Sequence, residues 1–361
     1  MRGAAVHDGG DASEKYVGVD MSNAVSMMER CLYWRDEDGD PVRDVYRLLA
    51  EKGVNAARVR TWVGQGGPSR LDYATSTAGM AAKSGMSIHP VLFLSDGWAD
   101  LYKQPAPRAW GEMNPNARRK RVYEYAREVA RHLRGRGLRA CTYQVGNEID
   151  YGLCGTFASN KKRRKNLAWL KERIWRFEAD VLKGAIEGIK EVDKNARIAL
   201  HLGKWWDVPL AHAFFLAMRE FDLDWDVSAL SFYPAAFGSG VVAFQQIMES
   251  ILSFGKPICV AECAYPSSRP SGQFWFMNKP VPGYPLTSRG QGEWIRDFLA
   301  YCHKNPHIMG AFYWSPEMYL TKRHAKLVDE PEDMPFSFGW DPMALFNRKG
   351  RAKQGLGSLS F

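Results

Sequence analysis

Two glutamates stand in settings suited to acid–base chemistry. Glu148 closes Gln144-Val145-Gly146-Asn147-Glu148, and Glu262 sits in Val260-Ala261-Glu262-Cys263-Ala264-Tyr265-Pro266. Each follows a short apolar run, Thr142-Tyr143-Gln144-Val145 in one case and Pro257-Ile258-Cys259-Val260 in the other, that reads as a buried strand. Two carboxyls delivered from strand ends suit hydrolysis of a glycosidic bond. One holds a proton for the leaving oxygen, while the other stays ionised to attack or to activate water. Carboxyls about 5–5.5 Å apart give retention through a covalent intermediate, and about 6.5–9.5 Å apart give inversion. Retention is the expectation here, with Glu148 as acid/base and Glu262 as nucleophile. The Asn147 amide is placed to bind the hydroxyl beside the reacting carbon. A nucleophile needs a depressed pKa, for which Arg58 or Arg60 offers a positive charge and Tyr233 a hydrogen bond.

The elements that must position these residues alternate along the chain. Strand-like runs at 16–20, 56–63, 87–94, 140–146, 197–201, 227–232, 257–263 and 310–314 are interleaved with amphipathic stretches at 42–52, 116–136, 166–192, 208–220, 241–254 and 290–304. Repeated β then α predicts a parallel α/β sheet with right-handed crossovers, and eight units predict a single (β/α)8 TIM barrel. The ends of strands 4 and 7 then face each other across its mouth. A doubly wound open sheet is the competing architecture. It fits less well, because no Gly-rich phosphate fingerprint follows the first strand and the candidate residues end several strands rather than one switch point. Irregular stretches at 95–115, 267–288 and 317–341 follow strands 3, 7 and 8, on the face where barrel active sites are built, and are expected to wall a groove. Residues 1–15 read as a flexible N-terminal segment and 16–361 as the catalytic barrel.

At 361 residues and 45% hydrophobic, the chain can bury a large core. Its 13 Trp, 15 Tyr and 18 Phe suit stacking on sugar rings as well as ordinary core packing. A formal charge of +9 is concentrated in runs such as Arg118-Arg119-Lys120-Arg121 and Lys161-Lys162-Arg163-Arg164-Lys165. These read as solvated helix starts and loops, so no nucleic acid is inferred as partner. No apolar stretch reaches membrane-spanning length, and no membrane partner is inferred. Six cysteines without a CxxC pair read as reduced thiols. The N-terminus has no apolar signal core, which predicts a cytoplasmic protein, or a secreted one whose signal has been removed. No cofactor and no catalytic metal are expected; Asp329 and Asp333 are the acidic residues available for a structural calcium.

The chain resembles the arabinogalactan endo-β-1,4-galactanases, glycoside hydrolase family 53, nearly from end to end. The matching stretches are Gly18-Val19-Asp20-Met21-Ser22, Gly53 through Val63 with Arg58-Val59-Arg60-Thr61-Trp62, Ser95-Asp96-Gly97-Trp98-Ala99-Asp100, Gln144 through Ile149, Ser231-Phe232-Tyr233-Pro234, Glu262 through Pro266, Phe312-Tyr313-Trp314 and Ala344-Leu345-Phe346. The resemblance implies Glu148 as acid/base, Glu262 as nucleophile, Asn147 on the reacting sugar, Arg58 and Tyr233 supporting the nucleophile, and Asp96, Trp98 and Trp314 shaping sugar subsites. Its substrate would be β-1,4-linked galactan. Asp20 is expected to orient neighbours. His201 is expected either to touch substrate or to act as a hydrogen-bonded barrel-top histidine. Three places depart from the family pattern: Val91-Leu92-Phe93-Leu94 lacks a polar side chain, Ala235-Ala236-Phe237 replaces bulkier residues, and Ser315 stands where a glutamate is expected. Such losses alter which hydroxyls are recognised. Exo-acting β-galactosidase or another β-glycosidase activity is therefore the alternative within enzymes, and a non-catalytic carbohydrate-binding protein the alternative outside them.

Overall fold

In a computed structural model, described over residues 15–64, 70–320 and 339–360, eight strands close into a parallel barrel. They are β1 (Tyr16–Asp20), β2 (Ala56–Thr61), β3 (Ser87–Leu92), β4 (Tyr143–Val145), β5 (Ile198–Leu202), β6 (Val227–Phe232), β7 (Ile258–Cys263) and β8 (Ile308–Trp314). Each pairs with its sequence neighbours, and β1 closes the ring on β8 with Asp20 opposite Trp314. The helices are α1 (Ala24–Glu29), α2 (Val45–Glu51), α3 (Leu71–Lys83), α4 (Pro115–Gly135), α5 (Leu167–Leu170), α6 (Arg176–Val192), α7 (Val208–Glu220), α8 (Val241–Leu252) and α9 (Ser288–Lys304). A π-turn at Lys171–Trp175 joins α5 to α6. No helix among the described residues is long and apolar enough to cross a membrane.

The predicted TIM barrel is the observed one, with boundary shifts. β4 is three residues long rather than seven, because Ala140 makes only an isolated bridge to Ile88 before the strand proper begins. The hydrophobic pattern does not single out helices α1 and α3; α3 packs on β2 and β3 but turns Ala and Thr inward and so lacks a strong apolar stripe. After β8 the described residues end in a 3₁₀ turn, Gln354–Ser358, rather than an α-helix. The 1–15 segment lies outside the described residues save for Lys15, as do Asp329, Asp333 and most of the stretch after β8. Besides the loops after β3, β7 and β8, a long one also follows β4. It carries an antiparallel ribbon, Gly152–Leu153 with Thr156–Phe157.

Sequence chemistry places the termini of the outer helices. Asn114 accepts from Ala117 N with Pro115 at the first helical position of α4, Asp207 accepts from Leu210 N at the start of α7, and Thr287 accepts from Gly290 N before α9. Inside the barrel, the lower layer is filled by Tyr16, Ala56, Ala199, Val227, Ala229, Cys259, Ala261, Met309 and Phe312. Gly18 makes room for the Phe312 ring, which a Cβ there would meet at 2.2 Å. Above this layer the inward positions turn polar, at Asp20, Arg58, Gln144, His201, Ser231 and Glu262, all of them buried. The loops after β7 and β8 are joined by Lys353, whose Nζ donates to Ser267 Oγ (2.9 Å), Asp341 O (2.7 Å) and Ala344 O (2.6 Å). Burial pushes that amine down to about 7.

Candidate active site

Arg58 rises from β2 into the centre of the mouth, where nothing of it is exposed. Its Nη1 donates to Asp20 Oδ2 (2.8 Å), its Nη2 to Asn147 Oδ1 (2.8 Å) and its Nε to Gln144 Oε1 (3.1 Å). Nη1 also lies 2.9 Å from Glu262 Oε1, at ion-pair distance although off the line of a good N–H bond. One guanidinium therefore ties β1, β4 and β7 together. Burial opposes its charge, but Glu262 and Asp20 outweigh that and keep it ionised.

Glu262 reaches this position through an irregularity. The β7 pairing shifts register against both β6 and β8 near the residue, and such bulges re-aim a side chain at an active-site rim. Its Oε2 accepts from Tyr233 Oη at 2.7 Å. Of the two arginines considered, Arg58 is the partner. Arg60 instead donates to Asn23 Oδ1 (2.9 Å) and lies 5.2 Å from the Trp98 ring. The expected depression of the Glu262 pKa does not occur. Burial pushes the carboxyl above its usual value, and Arg58 and Tyr233 only hold that rise in check. Burial also keeps Tyr233 a protonated donor.

Glu148 is set by its backbone, which takes the left-handed φ of +49°. Its Oε1 accepts from Ser231 Oγ (2.7 Å) and its Oε2 from Leu101 N (3.3 Å). Gly203 passes so close that a Cβ there would stand 2.5 Å from the Glu148 carboxyl carbon. Burial first, then the charge of Glu262, raises Glu148 well above the usual carboxylate range. The two carboxyls thus differ in their partners: a cation and a phenol favour the charge of Glu262, and Glu148 has neither.

The hydrogen-bond network also sets the direction of the bonds that reach Glu148. Arg58 Nε can only donate, so Gln144 presents Oε1 to it and turns Nε2 toward Gly146 O (2.9 Å) and His201 Nδ1 (3.0 Å). His201 Nδ1 then accepts, and its Nε2–H points at Ser231 Oγ (3.0 Å), which in turn donates to Glu148. Burial keeps His201 neutral, as this tautomer requires. His201 is thus buried, with both ring nitrogens hydrogen-bonded within the barrel top.

The other expected site residues fall into two groups. Asn147 and Asp20 are buried supports: Asn147 donates to Ala99 O (3.0 Å) besides accepting from Arg58, and Asp20 accepts from Ser22 N (3.1 Å). Asp96 braces the loop after β3 by accepting from Arg108 N at 2.7 Å, rather than facing the mouth alone. Trp98 and Trp314 meet edge to face at 5.9 Å, and Trp98 Nε1 donates to Asp100. Trp340, absent from the sequence reading, completes this aromatic wall at 4.3 Å from Trp314 and 6.3 Å from Tyr233. Glu317 supplies a buried carboxyl two residues beyond Ser315, accepts from Asn23 N, and is pushed up to about 8 by burial. Ser231, Gln144, Gly203 and Glu317 were also missed as site members, although the first two lie inside motifs already singled out. Among the described residues no cluster of His, Cys, Asp and Glu could hold a metal ion.

The chain is similar to known proteins along nearly its whole length. Residues 16–359 match the family model of Glycosyl hydrolase family 53. An uncharacterised protein of Niallia circulans is 27% identical over 95% of this chain and 93% of its own length. A probable arabinogalactan endo-beta-1,4-galactanase A of Neosartorya fischeri is 26% identical over 86% of each chain. Among solved structures, the catalytic domain of an Ignisphaera aggregans member of the same family superposes with a TM-score of 0.81 at 25% identity, covering 99% of both chains.

Proposed function

The chain belongs to glycosyl hydrolase family 53 and is a glycosidase, and on that premise we propose that it cleaves β-1,4-linked galactan by double displacement. Glu148 protonates the departing glycosidic oxygen while Glu262 attacks the anomeric carbon. A water molecule, deprotonated by the same Glu148, then releases the sugar from Glu262. Arg58 and Tyr233 hold the Glu262 carboxylate, and Tyr233 releases part of its hydrogen bond as charge leaves the oxygen. Trp98, only partly buried, offers an apolar face on which a pyranose stacks, and it is backed by the buried Trp314 and Trp340.

The observation that carries this reading is the asymmetry of the two carboxyls. Glu262 is buried and Glu148 partly so, yet only Glu262 has a cation and a phenol against it, while Glu148 has a neutral hydroxyl and a backbone N–H. The Neosartorya fischeri relative, named as a galactanase, supports the choice of polymer. Linear β-1,4-galactan incubated with the protein should give a ladder of short oligosaccharides that Glu262→Gln does not produce, and the first-formed products should keep the β configuration by NMR. Galactose alone from the outset would mean exo action, for which the small Ala235-Ala236 pair beside Tyr233 leaves a shorter groove. An α first product would exclude double displacement.

A further inference from the structure

The run Lys161-Lys162-Arg163-Arg164-Lys165 belongs to the loop between β4 and α5, and so to the catalytic face of the barrel. Arg164 anchors it. Its Nε donates to Ala158 O (2.7 Å), and its guanidinium lies 4.6 Å from the Tyr151 ring and 4.8 Å from the Phe157 ring. Lys204, from the loop after β5, reaches the same Tyr151 ring at 5.6 Å.

Three connections put these cations on the Glu148 side of the mouth. Lys204 follows Gly203, whose backbone packs on the Glu148 carboxyl. Tyr151 lies three residues beyond Glu148. Tyr102, exposed on the rim, follows the residue whose N–H binds Glu148 Oε2, and it feels the charge of both Glu148 and Arg164.

The positive charge there is open. Among the described residues, no carboxylate pairs with any of the five cations, and four of the five are exposed. The acids nearby are engaged otherwise. Asp207 pairs with Lys204, Asp150 accepts from Gly203 N and Lys204 N, and Asp100 accepts from Trp98 Nε1 and Tyr102 N. A guanidinium already stacked between two rings loses little freedom on gripping a carboxylate, and its planar fork matches that group.

A carboxyl that protonates the leaving oxygen faces the aglycone, so the cationic rim flanks the sugars on the leaving side. We propose that the aglycone end of the groove takes a carboxylated polysaccharide, a galactan that carries or is attached to uronic acid residues. This rests on the reading of Glu148 as the acid of a glycosidase. A cleft lined by one sign of charge raises the local concentration of an oppositely charged chain, and the gain fades as salt screens it.

The test compares one uronate-bearing galactan with free carboxylates against the same preparation with its carboxyls methyl-esterified. At low ionic strength kcat/KM should favour the free acid by about tenfold or more, and the preference should shrink toward parity at about 0.5 M salt. The fourfold variant Lys161→Glu, Lys162→Glu, Arg163→Glu, Lys165→Glu should invert it. Parity at low salt in the unmodified protein overturns the proposal. Binding of both substrates to Glu262→Gln gives the same ratio without turnover. Hydrolysis of neither substrate would therefore sink the glycosidase reading, while the binding ratio still decides on the carboxylate. A duplex oligonucleotide that binds as tightly as the carboxylated glycan would show a general polyanion surface, and would also overturn the proposal.

Discussion

Gly203→Ala should disable the acid without touching either carboxylate. An added Cβ would stand 2.5 Å from the Glu148 carboxyl carbon, 2.7 Å from Oε1 and 2.8 Å from Cγ. Non-bonded carbons sit comfortably at about 3.5–4.0 Å, so the carboxyl must retreat by about 1 Å. Retreat through the backbone is blocked, because Glu148 is held at a φ of +49° and the next residue donates from its N–H to His201 O at 2.9 Å. The side chain must swing instead, and that breaks its 2.7 Å bond from Ser231. A misplacement of about 1 Å costs roughly a hundredfold, and loss of general acid catalysis about 10²–10⁴-fold. kcat/KM on galactan should thus fall by about 10²–10³-fold. On an aryl galactoside whose phenolate leaves without protonation, kcat/KM should fall less than about tenfold, because that ratio reports the first bond cleavage. Thermal melting should confirm a folded variant. Equal losses on both substrates, or full activity on galactan, would refute the reasoning.

Three further perturbations read other parts of the network. Ser231→Ala removes a donor that favours ionised Glu148; since the acid must be protonated, the alkaline limb of the kcat/KM profile should move to higher pH, and movement to lower pH would contradict the assigned direction of that bond. Arg58→Met strands Asp20 and Glu262 without their cation, so chemical denaturation should show a loss of about 3–5 kcal/mol, and a loss under about 1 kcal/mol would mean the guanidinium is not the junction described. Glu178 on α6 is fully buried with neither oxygen partnered, and burial raises its carboxyl well above the usual value. Its folded pKa exceeds the unfolded one of about 4.3, so its contribution is intact below that pH and is lost as pH rises. Glu178→Met should therefore stabilise by about 1–3 kcal/mol near neutrality. The difference in melting temperature should grow with rising pH, and a difference that shrinks would count against a buried neutral acid.

The barrel was legible because its strands are short, apolar and evenly interleaved with helices, a pattern that burial on both faces imposes on parallel strands. Where the reading slipped, the local signal was weak for a physical reason. β4 is bounded by bridging and bonding partners on β3 and β5 rather than by composition, and α3 presents Ala and Thr to the barrel. By sequence the loop after β4 reads as a solvated run of charge. Nothing in the sequence tells that its Arg164 stacks on Tyr151 and Phe157.

The site was legible in its members more than in its wiring. Glu148, Glu262, Arg58, Tyr233 and Asn147 converge, yet the sequence suggests that Arg58 or Arg60, with a Tyr233 hydrogen bond, depresses the Glu262 pKa. Burial outweighs Arg58 at Glu262, so neither carboxyl is lowered, and the two differ instead in their partners, a cation and a phenol at Glu262 against a neutral hydroxyl at Glu148. Arg58 acts on both. At Glu262 it supplies charge directly. At Glu148 it acts through a chain of forced donors, since its Nε fixes the Gln144 amide, which fixes the His201 tautomer, which leaves Ser231 only the direction toward Glu148. Four links join residues from β2, β4, β5 and β6, and only the closed barrel brings them within hydrogen-bond reach. The arginine that pairs with Glu262 therefore also sets which oxygen of Glu148 is occupied, leaving the other, Oε2, with only the long bond from Leu101 N to give up if, as proposed, Glu148 is the acid.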